Sequence, residues 1–118
     1  MGSFEYWPRP GHPQLPRDER MEVLRHEFQW RLRRERLHLR RLSAKLERAK
    51  ADATPVYDEL QVLARRVAGA AALYEHPNVC DAACTLEEAA IIALRARAGH
   101  DDAQVWHAVR ALALTMPL

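Results

Sequence analysis

The chain has 118 residues, 48% apolar and 29% charged, with a formal net charge of +2. That is the length of one domain, with apolar material enough for a core. It excludes a collagen, a disulfide-stapled miniprotein and a disordered polyelectrolyte, and no run approaches the ~18 apolar residues of a membrane-spanning helix.

Two cysteines, Cys80 and Cys84, are too few for a secreted disulfide framework. The first residues lack the apolar run of a signal peptide. A soluble, cytoplasmic protein with reduced thiols is the expectation.

Residues 1–16 read as an extended arm, and 17–118 as a single helical domain. Pro8, Pro10, Pro13 and Pro16 exclude a helix in the arm and favour polyproline-like backbone. Phe4, Tyr6 and Trp7 cluster there. Either the arm is a free tail, or it docks those aromatics on a neighbouring subunit or partner.

One long helix is predicted over 18–52, since neither Gly nor Pro occurs between Arg17 and Ala53. Asp18, Glu19 and Glu22 near its start and Lys45, Arg48 and Lys50 near its end suit the helix dipole. Met21, Leu24, Phe28, Leu32, Leu39, Leu42 and Leu46 fall on one stripe at ~100° per residue. Val23, Trp30 and Leu37 recur every seven residues on the opposite side. A helix docked only on its own domain needs one stripe. The second, which carries a tryptophan, needs a second surface. Val23, Trp30 and Leu37 are therefore expected at the centre of a partner or subunit interface, rimmed by Arg33, Arg34 and Arg41. The competing expectation is that the same chain covers Trp30.

Thr54 is expected to cap a second helix, with Pro55 at its first position. Its core stripe is Val56, Leu60, Leu63, Val67, Ala70 or Ala71, and Tyr74. Gly69 and the alanines after it offer a thin surface for close helix approach. Pro77 ends this helix near Glu75, and the tight connection at 53–54 makes the first two helices an antiparallel hairpin. Residues 76–84 read as a loop. Thr85-x-x-Glu88 reads as a capping box opening a third helix that Gly99 stops. Asp101-x-x-Gln104 signals a fourth, running to Pro117. The expected fold is all-α, with the two later helices packed across the hairpin. Its expected core is Leu24, Phe28, Leu32, Leu39, Leu42, Leu60, Leu63, Val67, Ile92, Val109 and Leu112.

No constellation in the chain points to catalysis, and no cofactor is expected. Glu35-x-x-His38 is the only copy of a pattern that a di-iron bundle uses twice. His76, Cys80 and Cys84 have ligand chemistry without the paired spacing of a zinc site. Asp81 beside Cys80 opposes thiolate formation. Phosphate-loop, dinucleotide and nucleophile-elbow motifs are absent from the sequence.

Nucleic acid is the main rival. Residues 17–50 carry twelve Lys/Arg and six Asp/Glu, a net +6, whereas 51–118 carry five and nine, a net −4. The run Arg31–Arg41 has the look of a phosphate-binding helix. On the wheel, though, its arginines lie on both flanks: Arg25, Arg36 and Arg40 on one, Arg34, Arg41 and Lys45 on the other. The last two helices outline a helix-turn-helix, but Asp101 and Asp102 at the start of the reading helix would meet phosphate unfavourably. A planar membrane-surface helix is disfavoured by apolar residues on two sides and by the interspersed acids.

An aromatic, proline-rich arm, a long helix bearing Phe28 and Trp30, and three shorter helices after Thr54 together resemble one group in overall plan. These are the small helical quorum-sensing anti-activators that bind LuxR-type transcription regulators (QslA-like). The resemblance implies an all-α dimer that inactivates a transcription factor by occupying its interface. It assigns no residue a role. The expected function is non-enzymatic regulation by protein–protein contact, as a homodimer. A nucleic-acid binder using the Arg-rich helix is the alternative.

Overall fold

The computed structural model describes residues 17–49, 52–96 and 102–117. They form four helices and, among the described residues, no strand: α1 Arg17–Arg48, α2 Thr54–Leu73, α3 Pro77–Arg95 and α4 Ala103–Thr115. The expected arm at 1–16, and the signals at Lys50, Gly99 and Asp101, lie outside the described residues.

The first helix forms as its composition dictates. Asp18 and Glu19 occupy its first turn, and Lys45 and Arg48 its last. It ends at Arg48, four residues short of the expected limit. Three cross-helix contacts give its direction relative to α2. Phe28 meets Tyr74, Glu35 meets Arg66 and Lys45 meets Glu59. One number rises as the other falls, so α1 and α2 are the predicted antiparallel hairpin.

The start of α2 differs by one residue from expectation. Thr54 does not cap; it is the first helical residue, and Ala53 holds the cap position without a side-chain bond. Asp52 serves instead, its carboxylate accepting the Thr54 N–H at 3.0 Å. The Asp52 carboxylate, two residues upstream, reaches this N–H by closing a local turn of the kind Asp favours.

A left-handed residue ends α2. Glu75 has φ 58°, and the N–H groups of Glu75 and His76 donate to the Ala72 and Ala71 carbonyls at 3.3 and 2.8 Å. This is the Schellman pattern, here with Glu where Gly is usual. One such residue turns the chain sharply enough that α3 starts at Pro77 immediately afterwards. All of the expected loop at 76–84 except His76, which holds the cap position, is therefore helix. Pro77 was read only as a breaker, but it fits the first turn of a new helix equally well. The expected capping box is interior: the Thr85 hydroxyl donates to the Asp81 carbonyl at 3.0 Å, one turn back.

Each helix packs on its neighbours in sequence, and α4 returns to α1. The diagonal pairs, α1 with α3 and α2 with α4, do not meet. Between the four lies a core centred on Leu60, Leu63, Leu86, Val105 and Leu112, all fully buried. Nine of the expected core residues are buried; Leu24 (37% exposed) and Ile92 (55%) are not. Leu24 precedes Phe28, which already sits on the far end of α2 against Tyr74 and His76. Upstream of Phe28, α1 has outrun the hairpin, and every residue from Arg17 to Glu27 except half-buried Met21 is exposed. Ile92 fails on phase: Val79, Ala83, Leu86, Ala90 and Ala93 set the buried face of α3, and Ile92 points away from it. Gly69 marks no close approach either, since a Cβ there would touch nothing within 4 Å.

Candidate protein-binding face

Helix α1 has two working sides. Phe28, Leu32, Leu39, Leu42 and Leu46 are buried on one. On the other, Val23 is 47%, Trp30 64% and Leu37 52% exposed. The described residues thus leave Trp30 uncovered, and the second stripe is open surface. Ala44 continues the same seven-residue line.

Arginines frame this stripe. Arg33, Arg34 and Arg41 are all exposed beside it. The Arg33 guanidinium lies over the Trp30 ring, 5.1 Å from its centroid, which orders both groups by cation–π attraction. Arg33, Arg36, Leu37 and Arg40 also line a shallow groove closed on its far side by Pro117, just past the end of α4. Arg36 and Arg40, read earlier as flank residues, therefore join the site. Their helical spacing from Arg33 is visible in the sequence, but the approach of Pro117 is a tertiary fact. None of Arg33, Arg36 and Arg40 has a carboxylate partner among the described residues.

Three other basic groups bridge helices by pairing with acids. Arg66 grips both oxygens of Glu35, Nε to Oε2 at 2.7 Å and Nη2 to Oε1 at 2.9 Å, with His38 Nδ1 3.3 Å away. Hydrogen bonding to Glu35 pushes the Arg66 pKa above its ordinary value, against the desolvation that would lower it. Glu35-x-x-His38 is thereby committed to clamping α1 onto α2. Lys45–Glu59 and Arg65–Glu87, at 3.4 and 2.7 Å, are more exposed pairs.

The thiol pattern resolves differently. His76, Cys80 and Cys84 follow one another at single-turn intervals around the start of α3, and the His76 ring packs on Phe28 at 4.7 Å. Both cysteines are free. Desolvation, then the neighbouring Cys80, then Glu87 and Asp81, push the Cys84 thiol pKa up. No group of three His, Cys, Asp or Glu placed to hold a metal occurs among the described residues. A mixed-charge cleft between α1 and α4 is lined by Glu47, Asp102, Trp106, His107 and Arg110. No described helix is long and apolar enough to cross a membrane.

Comparison with protein-family models, with curated proteins and with solved structures finds no match to the chain.

Proposed function

We propose that this protein is a non-enzymatic regulator that acts by binding another protein through the outward face of α1. Trp30 carries the proposal: it is a large apolar side chain standing in solvent at the middle of a seven-residue apolar line, on the side of the helix away from the core. Exposed aromatics framed by arginines are the composition of interface hot spots. On the resemblance in plan to the anti-activators, a LuxR-type transcription factor is the first partner to try, and inhibition by occupying its interface is the proposed mode.

The test is a pull-down from native lysate at moderate salt with nuclease added, comparing wild type with Trp30→Ala. A specific protein captured by wild type and lost from the variant supports the proposal. The unpaired arginines of α1 favour one second reading, nucleic-acid binding. It predicts capture that collapses with nuclease in both forms and affinity that falls steeply with salt.

A further inference from the structure

We infer that the occupant of this face is an acidic amphipathic helix of a different protein. The inference rests on the protein-binding reading above and names the chemistry of the partner. From Trp30 to Arg48 the outward side of α1 carries Arg33, Arg34, Arg40, Arg41 and Arg48. The exposed carboxylates on its flanks stand at the two ends, Glu22 and Glu27 before Trp30, with Glu22 paired to Arg25, and Glu47 one heptad after Arg40. Glu35 is turned towards α2 and held by Arg66, and Glu47 lines the cleft towards α4. Lys45, Arg65 and Arg66 are matched by acids on neighbouring helices, whereas among the described residues Arg33, Arg34, Arg40 and Arg41 stand without such a partner beside exposed Trp30 and Leu37.

The pattern also selects the shape of the partner. One apolar residue per seven, at Val23, Trp30, Leu37 and Ala44, makes a narrow seam that follows a helix. Twenty-one residues at ~1.5 Å each give it a length of about 32 Å, so a partner helix of three heptads covers it. Its own apolar seam lies on Trp30 and Leu37, and acids on both flanks meet Arg34 and Arg41 on one side. On the other they enter the groove of Arg33, Arg36 and Arg40. A second copy in parallel register sets arginine against arginine, and in antiparallel register it offers the arginines only Glu27 and Glu22, the latter already held by Arg25. Phosphate would satisfy the arginines but leaves Val23, Leu37 and Ala44 without a role.

The test uses the full chain and three synthetic three-heptad peptides. They share one leucine seam and differ only in their flanking residues: Glu, Gln or Lys. Calorimetry should show the Glu peptide binding, the Gln peptide weaker by at least about tenfold, and the Lys peptide not at all. Trp30→Ala should weaken the Glu peptide by at least about tenfold. Arg34→Glu/Arg41→Glu should reverse the preference towards the Lys peptide, with Arg34→Gln/Arg41→Gln as the milder variant should the reversal lose helix by circular dichroism. Equal binding of the Gln and Glu peptides, both lost in Trp30→Ala, overturns the acidic partner and leaves the protein-binding face standing. Binding of the Glu peptide that ignores Trp30→Ala overturns the seam. Should no peptide bind while Trp30-dependent capture from lysate succeeds, only the acidic helix falls. Tighter binding of a 20-base-pair duplex, about 20 being two helical turns, assigns the face to nucleic acid instead. A Trp30-dependent dimer in sedimentation assigns it to a second copy.

Discussion

Phe28 and Trp30 are two residues apart on one helix, and replacing each by alanine should separate folding from binding. Phe28 is 1% exposed, with its ring stacked on Tyr74 at 4.9 Å and 20° between planes. Truncating a buried Phe costs about 3–5 kcal/mol, and the loss of an aromatic pair puts this site in the upper part of that range. The substitution also undocks His76, so it loosens the corner where α2 passes into α3. Trp30 is a different case. It touches Arg33, and losing that cation–π contact costs about 0.5–1 kcal/mol. Alanine, a better helix former than Trp, returns about 0.5 kcal/mol. The net change should lie within about 1 kcal/mol of zero. Urea unfolding of the full chain followed by far-ultraviolet circular dichroism measures both. A loss above about 2 kcal/mol for Trp30→Ala would mean that the tryptophan is core, and the outward face would lose its centre. A loss below about 1.5 kcal/mol for Phe28→Ala would mean that α1 is not anchored at that point.

Four smaller expectations follow from local geometry. Glu75→Gly should raise stability by about 1 kcal/mol in the same urea assay, because Glu75 sits at φ 58° where glycine carries no steric cost. Glu35→Gln should lower stability by about 1–2 kcal/mol, since it removes the charge from a bidentate, largely covered partner of Arg66. Cys84 should alkylate with iodoacetamide more slowly at neutral pH than a free cysteine, and its rate should rise only at a pH above the ordinary thiol range, because its pKa is raised. Asp52 should titrate below the ordinary carboxylate range by NMR, since its bonds to Thr54 favour the ionised form. Its contribution to the start of α2 is then complete above the unfolded carboxylate pKa and lost as pH falls through the depressed one; Asp52→Asn should flatten that acid limb.

The parts of this fold that were legible in sequence are those set by one strong local cause. An uninterrupted run of helix formers predicts α1, and its seven- and four-residue apolar spacings separate Trp30 from Phe28 correctly. What escaped was decided by competition or by tertiary reach. Pro77 and the Thr85-x-x-Glu88 box are both genuine start signals, and the sequence alone does not rank them. The ranking comes from Glu75 adopting a left-handed conformation, a state that a charged residue does not advertise. Moving the start of α3 from 85 to 77 then carries Val79 and Ala83 into the core. Leu24 has the right phase but no neighbour, because periodicity gives a residue's direction and says nothing of where the opposite helix stops. The groove at Arg36 and Arg40 was hidden for the same reason, since one of its lining residues is Pro117, about eighty residues away in the chain.

Charge separates the two sides of α1 more sharply than hydrophobicity does. Both sides present apolar residues at helical spacing, so burial alone would let either one dock. The inward side brings Glu35 to Arg66, and the flank next to it brings Lys45 to Glu59. Docking α1 the other way round would withdraw Glu35 from Arg66 and bring Arg34 towards it instead. Like charges forced together between packed helices oppose that arrangement directly. On this reasoning the unpaired arginines should also act within the chain, by disfavouring the wrong face of α1 during folding. The same charge, on a helix and beside exposed Trp30, is what the proposed acidic partner would meet. Neutralising Arg34 and Arg41 together should accordingly weaken partner choice and also raise the fraction of misdocked chains. The second effect should be read as slower or multiphasic refolding of Arg34→Gln/Arg41→Gln against single-phase refolding of wild type. Unchanged refolding in that variant would confine these arginines to the interface.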